Sequence, residues 1–262
     1  MSIKKVIQKT NYNLRIFSKY IGGVCGLIVY SLPAYLAEKK NKATINKNFL
    51  TQVYFTGNLA LRLISIVALS LGAVTVIQAF TQLSKIGGQE FIGELLKIVV
   101  IRELGPLITA FIVISRSSTA IASEIGNMVV TNQVDALEMM GIDPLTFIIF
   151  PRIMGVSLAL IVLTIFFDAI ALFGGFLVSF LTIGLSFDIF FNYIMSTISF
   201  ADIFSSLLKS LLFGLFISAI PIYNGFQVKS STTIPVATTK TVMECIIVTI
   251  IFDIIITIFI YV

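Results

Sequence analysis

The chain has no histidine, no tryptophan and two cysteines, and only 12% of its 262 residues are charged. Without histidine, Ser-His and Cys-His nucleophile pairs and the HExxH zinc motif are excluded. The sequence also contains no GxxxxGK[ST] motif, so the chain cannot bind ATP through a P-loop. Cys25 and Cys245 lie far apart in apolar sequence, which favours buried thiols over a disulfide or a metal site.

Apolar residues are abundant: they make up 57% of the chain, and the mean hydropathy is +1.03. A soluble domain of this length does not need so many, whereas a membrane-spanning helix needs about 20 in succession. We therefore predict an all-α integral membrane protein. Five predicted spans cover residues 63–80, 95–114, 153–187, 210–228 and 245–262. The third stretch also accommodates a tight pair of helices, which would give six spans.

Positive charge is concentrated at the start of the chain, where residues 1–50 hold nine lysines and arginines and one acid, Glu38. Cytoplasmic segments of membrane proteins carry such an excess. The N-terminus of this multi-pass protein is therefore predicted to be cytoplasmic, as are the connections at 116–152 and 229–240. The formal charge of +5 then reflects topology, and nucleic-acid binding is not predicted.

An amphipathic pattern marks the first residues. Ile3, Val6, Ile7 and Leu14 fall on one side of a helical wheel, and the lysines fall on the other. This pattern predicts a helix lying in the cytoplasmic membrane interface. A cleaved secretory signal is the alternative, although no small-x-small cleavage site follows the apolar run. One domain is predicted for residues 1–262, with an interfacial region at 1–50 and a transmembrane bundle at 51–262.

Charged residues inside predicted spans are candidates for function because an unpaired charge in lipid is costly. Arg102 and Glu103 lie within the second span. They either serve a function or are neutralised by neighbouring helices and hold the bundle together. Asp168 and Asp253 raise the further alternative of an intramembrane aspartyl protease, although the sequence around each lacks the GD-type context.

The segment at residues 115–126 combines rows of small residues with two charged residues. Two rows recur every four residues, a spacing that lets helices approach closely in lipid: Ser115, Thr119, Ser123 and Ser118, Ala122, Gly126. Arg116 and Glu124 lie eight residues apart, about 12 Å along a helix. That distance is too long for a direct bond, so each is expected to have another partner.

The stretch "TNQVDALEMMGIDP" (residues 131–144) predicts a short helix. Thr131 or Asn132 can cap its beginning, and Gly141 followed by Pro144 ends it.

This short helix is acidic, although a cytoplasmic connection is expected to be basic. Asp135 and Glu138 share one face, and Met139 and Met140 add deformable apolar surface. A solvated face is one explanation, and a docking helix for a basic partner is the other.

Several segments resemble a known family. They are "RELGPLITAFIVISR" (102–116), "AIASEIGNMVVTNQVDALEMMGIDPL" (120–145), "PRIMG" (151–155), "LLKSLLFG" (207–214), "YNGF" (223–226) and "ATTKTV" (237–242). In this order they resemble the MlaE-type permeases, which are the membrane subunits of bacterial ABC transporters that move phospholipids. The loop after Tyr223 departs from the family pattern in having less glycine, and Lys240 stands where arginine is common.

The resemblance implies a homodimer in the bacterial inner membrane, each copy with an interfacial helix and five spans. Two cytoplasmic ABC ATPases would bind the ATP and dock on the helix near residues 130–141, through Asp135, Glu138, Met139 and Met140. A periplasmic MCE-domain protein and a STAS-domain accessory protein are the other implied partners. The implied lipid cavity contains Gln78, Arg102 and Glu103, and no cofactor is implied for this chain. A membrane-embedded enzyme and a non-transporting membrane scaffold remain the alternatives.

Overall fold

A computed structural model describes residues 3–38, 42–83, 85, 92–184 and 186–261, and the side chains of residues 3–18, 92 and 183 lie outside that description. Within these ranges every regular element is helical, which confirms the predicted all-α class. The helices are α1 (Ile3–Ala37), α2 (Lys42–Leu83), α3 (Ile92–Leu96), α4 (Gly105–Val113), α5 (Thr119–Val130), α6 (Gln133–Met139), α7 (Phe150–Ile183), α8 (Phe187–Thr197), α9 (Phe200–Phe226) and α10 (Ile234–Tyr261).

Six helical stretches in the described residues are long and apolar enough to cross a membrane. Five of them correspond to the predicted spans. The third predicted span is a single helix, α7, so the alternative of a tight pair there is wrong. The boundary predicted at residue 50 falls inside α2, because the helix begins well before the uncharged run at 63–80.

The sixth stretch, Lys19–Ala37, belongs to α1 and lies across one end of the bundle. Near its start, the Tyr20 hydroxyl donates to Glu244 in the first half of α10, and its ring lies against Tyr223 near the end of α9. Near its end, Tyr35 stacks on Phe150, the first residue of α7, with ring centroids 4.1 Å apart. Both ends of the stretch therefore contact the same end of the bundle, as an interfacial helix would. The predicted basic and apolar faces of residues 3–18 lie outside the described side chains.

The two ends of the bundle differ in the elements they hold. The α6 end holds α1, α6 and the beginnings of α2, α7 and α10. The far end holds α8, the beginning of α9 and the end of α10. At the far end, the α3 segment lies against α8, where a Cβ on Gly93 would meet the backbone of Tyr193.

Helices α2 and α7 pack closely along their lengths. Gly72 lies against the Ala171 carbonyl, and a Cβ on Gly174 would stand 2.5 Å from the Leu69 carbonyl oxygen. Small residues allow such backbone contact in lipid, where dispersion forces drive helix association. This pair forms one wall of the bundle, and α9, which is buried over much of its length, forms its centre.

Helices α3, α4 and α5 form one continuous helical rod from residue 92 to residue 130, in which two segments are π-helical, Lys97–Leu104 and Ile114–Ser118. One small-residue row of this rod packs inside the chain. Ser118 donates to the Ile217 carbonyl of α9 at 2.9 Å, and Gly126 lies against Val228 and Ile234. Close packing is thus confirmed for this row. Of the two cysteines, Cys245 is buried, as predicted, whereas Cys25 is only partly buried.

Candidate functional site: a charged cluster in the membrane and an acidic helix at its edge

A lysine that is wholly excluded from solvent lies at the centre of the far half of the bundle. Lys209 of α9 is 0% exposed. Its ammonium donates to Glu103 Oε2 at 2.8 Å and to the Arg102 carbonyl at 3.1 Å, and it contacts Asp253 Oδ1 at 2.9 Å. An ammonium group has three donors, and three oxygens surround it here. Glu103 also accepts a hydrogen bond from Thr257 at 3.3 Å.

The charged contacts continue toward the far end of the bundle. Arg102 lies 3.6 Å from Glu103 and places its guanidinium on the ring of Tyr261. The Tyr261 hydroxyl donates to Asp202 at 3.0 Å, and Lys97 lies 3.9 Å from the other oxygen of Asp202. Asp202 also accepts from the Ser199 backbone N–H, which helps to cap α9. We call the six charged residues the membrane cluster: Lys97, Arg102, Glu103, Asp202, Lys209 and Asp253.

The membrane cluster holds three bases and three acids, so its formal charge is zero. A charge in lipid is tolerated when it is paired or faces a wet cavity, and here each charge has an opposite partner. Glu103 remains partly accessible, with 30% of its side chain exposed. The arrangement can thus hold three helical segments together, the rod, α9 and α10, and still present one carboxylate to a ligand.

Of the three residues predicted for a lipid cavity, the structure brings two together. Arg102 and Glu103 are adjacent members of the membrane cluster. Gln78 is exposed near the end of α2, and its side chain makes no hydrogen bond with any side chain in the described parts of the chain. It shares the far half of the bundle with the other two, but no bond connects it to them.

Sequence reasoning did not assign the central lysine. Lys209 lies in the segment "LLKSLLFG", and a base interrupting an apolar run was a signal that could have drawn attention to it. Asp202 gave no such signal because it stands at the beginning of α9. Its neighbour Lys97 falls in the second predicted span, but the pairing of the two depends on the fold.

The two aspartates considered for proteolysis have separate surroundings. Asp253 contacts Lys209, whereas Asp168 of α7 lies beside Gly105 at the end of a π-helical segment. Among the described side chains, no hydrogen bond joins the two carboxyl groups. An aspartyl protease needs a pair that shares one site, so this structure gives that alternative no support.

At the α6 end, the predicted short helix is present as α6. Asp135 lies in its first turn, and the helix ends before Gly141, as predicted; Gly141 itself has a left-handed φ of 73°. The predicted side-chain cap is wrong. Asn132 occupies the N-cap position with a φ of 56° and makes no side-chain cap bond, while Thr131 donates back to the Asn127 carbonyl.

One face of α6 is buried against the protein, and the other is exposed. Val134 is buried at 9% exposure, whereas Asp135, Glu138, Met139 and Met140 are all exposed, Met139 to 89%. Within the described residues, neither acid of α6 forms an ion pair. The outward face therefore combines unpaired negative charge with flexible apolar side chains.

The charges that were predicted to need separate partners have them. Arg116 donates to the Leu59 carbonyl of α2. Glu124 pairs with Arg152 of α7 at 2.6 Å. Both contacts tie the helical rod to its neighbours on the side facing α2 and α7.

Taken together, these features define a class of protein. An all-α bundle with several helices long and apolar enough to span a membrane, a charged cluster among them and an exposed acidic helix at one end is an integral membrane protein. Comparison with known proteins identifies the family. The model of the family described as Permease MlaE matches residues 49–259.

Individual relatives agree with this match. The intermembrane phospholipid transport system permease protein MlaE of Haemophilus influenzae is 32% identical over 221 residues, which cover 82% of this chain and 85% of that protein. A probable ABC transporter permease protein of Rickettsia typhi is 30% identical, covering 74% of this chain and 76% of its own. The chloroplastic protein TRIGALACTOSYLDIACYLGLYCEROL 1 of Arabidopsis thaliana is 32% identical, covering 78% and 58%.

The chain belongs to the MlaE permease family. It is therefore a multi-pass membrane permease and not itself an enzyme, which removes the membrane-enzyme alternative.

Proposed function

We propose that the chain is the membrane subunit of an ABC transporter that moves phospholipids between the inner membrane and the periplasm or outer membrane of a bacterium. The observation that carries this proposal is the similarity to the Haemophilus influenzae protein, which extends over 82% of this chain and whose name states phospholipid transport between membranes. The basic residues near the start of α2, Lys42 and Lys47, support a cytoplasmic α6 end and N-terminus.

The working assembly contains two copies of this chain, two cytoplasmic ABC ATPases, a periplasmic MCE-domain protein and a STAS-domain accessory protein. The ATPases bind the ATP, since this sequence has no P-loop motif. We assign their docking to Asp135, Glu138, Met139 and Met140. The unpaired carboxylates of α6 attract a basic groove, and exposed methionines adapt to an apolar one.

The lipid cavity is assigned to Gln78, Arg102 and Glu103. Closure of the ATPases displaces α6, and the unbroken rod transmits this movement to the membrane cluster. From Val130 to Glu103 the rod rises about 40 Å, as 1.5 Å per residue predicts. Transport then requires that the cavity bind lipid differently in the two states.

A tagged pull-down in mild detergent from native membranes tests the assembly. An ABC ATPase, an MCE-domain protein and bound phospholipid recovered with the chain would support the proposal. Recovery of the chain alone from intact membranes would overturn it.

Charge reversal on α6 tests the docking surface. Asp135→Lys with Glu138→Lys should abolish ATPase association while leaving the permease inserted, because two attractive contacts become repulsive. Glu94→Lys with Asp188→Lys reverses two exposed acids at the far end and should leave association unchanged. Undiminished co-purification of the ATPase with the α6 variant would contradict the docking assignment.

Glu103 also has structural partners of its own, Lys209 and Thr257, so a test of the cavity must separate its structural role from a role in transport. Glu103→Gln keeps the size of the side chain and one acceptor oxygen but removes the negative charge. A transporter whose cavity uses the carboxylate would lose transport with this variant, whereas unchanged transport would assign Glu103 a structural role alone. The family assignment leaves the non-transporting scaffold without support.

A further inference from the structure

A cavity with both charged and apolar lining residues opens at the α6 end, far from the membrane cluster. Its volume is about 250 Å³, and it lies between α2, α5 and the beginning of α7. Asn48, Thr51 and Gln52 line it from α2, and Glu124 lines it from α5. Phe147 lines it from the segment before α7, and Arg152 lines it from the first turn of α7. These residues belong neither to the membrane cluster nor to the docking face of α6.

The position of this cavity suits the edge of a lipid layer. Helix α2 and the helical rod meet where Arg116 donates to the Leu59 carbonyl. Nearer the α6 end, the cavity separates the two helices. Arg152 immediately precedes the apolar run that begins at residue 153, so the cavity lies where hydrocarbon gives way to head groups.

Both signs of charge face this space. Arg152 Nη2 lies 2.6 Å from Glu124 Oε1, and the side chains are 11% and 60% exposed. The guanidinium is therefore held in the wall, while most of the carboxylate remains accessible. A guanidinium binds phosphate through charge-assisted hydrogen bonds, and a carboxylate accepts them from an ammonium group.

The rest of the lining combines four apolar residues, Met128, Phe147, Ile148 and Pro151, with neutral hydrogen-bonding groups of α2. Asn48 has no side-chain hydrogen bond or ion pair in the described parts of the chain, although an amide offers two donors and an acceptor. Thr51 donates to the Lys47 carbonyl one turn earlier, and Gln52 donates to Thr56 at 3.3 Å. The oxygens of Asn48 and Gln52 remain available for the N–H donors of a ligand.

We propose that this cavity binds the headgroup of a membrane phospholipid that carries a primary ammonium, with the phosphate on Arg152 and the ammonium on Glu124. The cavity is smaller than the usual 300–1,000 Å³ of small-molecule sites, so it takes the headgroup and leaves the acyl chains in the bilayer. The site is distinct from the assigned lipid cavity at Gln78, Arg102 and Glu103. It depends on the membrane placement of the chain and not on ATPase docking.

The charges also define the selectivity. A phosphoethanolamine headgroup has no net charge, like the Arg152–Glu124 pair, and its ammonium supplies N–H donors. A phosphoglycerol headgroup is anionic. Its phosphate would occupy Arg152, and its glycerol would leave the Glu124 carboxylate without a cation partner. Phosphocholine carries a quaternary ammonium that has no N–H to donate.

Photocrosslinking tests the site directly. A diazirine amino acid replaces Met128, which lines the cavity, and the complex purified from native membranes is placed in vesicles of equal parts phosphatidylethanolamine and phosphatidylglycerol. Phosphatidylethanolamine should be the main captured lipid. Glu124→Gln should lower its capture about tenfold, the effect of losing one charge-assisted hydrogen bond. Asp188→Asn, at the far end, should change nothing.

A second variant keeps the site testable if Glu124→Gln fails to fold. Asn48→Leu leaves the Arg152–Glu124 pair intact and should also reduce phosphatidylethanolamine capture. Excess soluble phosphoethanolamine should not displace the lipid, since the bilayer keeps the lipid at high local concentration.

Three results would overturn the proposal. One is equal capture of phosphatidylethanolamine, phosphatidylglycerol and, in matching vesicles, phosphatidylcholine. The others are crosslinking to a protein partner instead of lipid, and displacement by the soluble headgroup. Loss of transport in Glu103 variants is a separate readout, so failure of this site and failure of the proposed function can be told apart.

Discussion

At the scale of single residues, Lys209 has the strongest structural role. It is completely buried, and its partners come from α10 and from the rod, 44 and 106 positions away in sequence. The sequence identified Arg102 and Glu103 as unusual because charges are rare in apolar spans. It could not identify their partner, since no periodicity links residues on separate helices.

Replacement of Lys209 by Met should destabilise the protein by about 3 kcal/mol, because removing one member of a buried ion pair leaves an uncompensated charge. Thermal unfolding in detergent measures this loss as a lower Tm. Adding Asp253→Asn should recover part of it, since one of the two stranded carboxylates is removed. A Lys209→Met protein as stable as the parent would contradict the central role of this ammonium.

At the scale of elements, the helical rod differs most from what periodicity could predict. The wheel with 3.6 residues per turn assumes a uniform α-helix, but two segments of the rod are π-helical, and these carry Arg102, Glu103 and Arg116. π-Helical turns are frequent at functional sites. The apolar pattern located the spans correctly. It could not predict helix ends such as Lys42, because polar helical turns continue beyond the membrane.

The contact between α2 and α7 can be tested with two glycines of one helix. Gly72→Ala should lower the stability by about 1–3 kcal/mol because the new Cβ would overlap the Ala171 carbonyl. A Cβ on Gly57 would meet no atom of another helix within 4 Å, so Gly57→Ala should be neutral or stabilising. Equal Tm values for the two variants would argue against close packing at Gly72.

The attachment of α1 can be tested at Tyr20. Its hydroxyl and the Asn224 amide both donate to Glu244 Oε2, at 2.8 and 2.7 Å. Tyr20→Phe removes one of these bonds and keeps the ring on Tyr223, so backbone amides of residues 20–35 should exchange hydrogen faster. Tyr30→Phe, at an exposed position, serves as the control. Unchanged exchange in the Tyr20 variant would show that apolar packing alone holds α1.

At the scale of the whole molecule, the assigned lipid cavity and the docking surface lie at opposite ends. The family resemblance predicted both sites, but it could not reveal that Glu103 is shared between a structural ion pair and an accessible surface. That sharing arises only when α9 and α10 pack on the rod. The depth and partners of each charge therefore had to come from the structure.

The assigned lipid cavity makes a prediction of its own. Glu103→Ala should reduce lipid crosslinking from a probe at Gln78 about tenfold, as expected for one charge-assisted contact. Glu94→Ala, an exposed acid on the same rod, should leave crosslinking unchanged. Full crosslinking in the Glu103 variant would remove that residue from the cavity.

The equal numbers of bases and acids in the membrane cluster have an electrical consequence. A single charge moved across a membrane gains or loses about 2.3 kcal/mol per 100 mV. A group of six residues whose formal charges sum to zero exchanges almost no energy with that field when it moves as a unit. The conformational cycle of this permease should therefore be insensitive to the membrane potential, so that dissipating the potential leaves its rate unchanged while ATP is supplied.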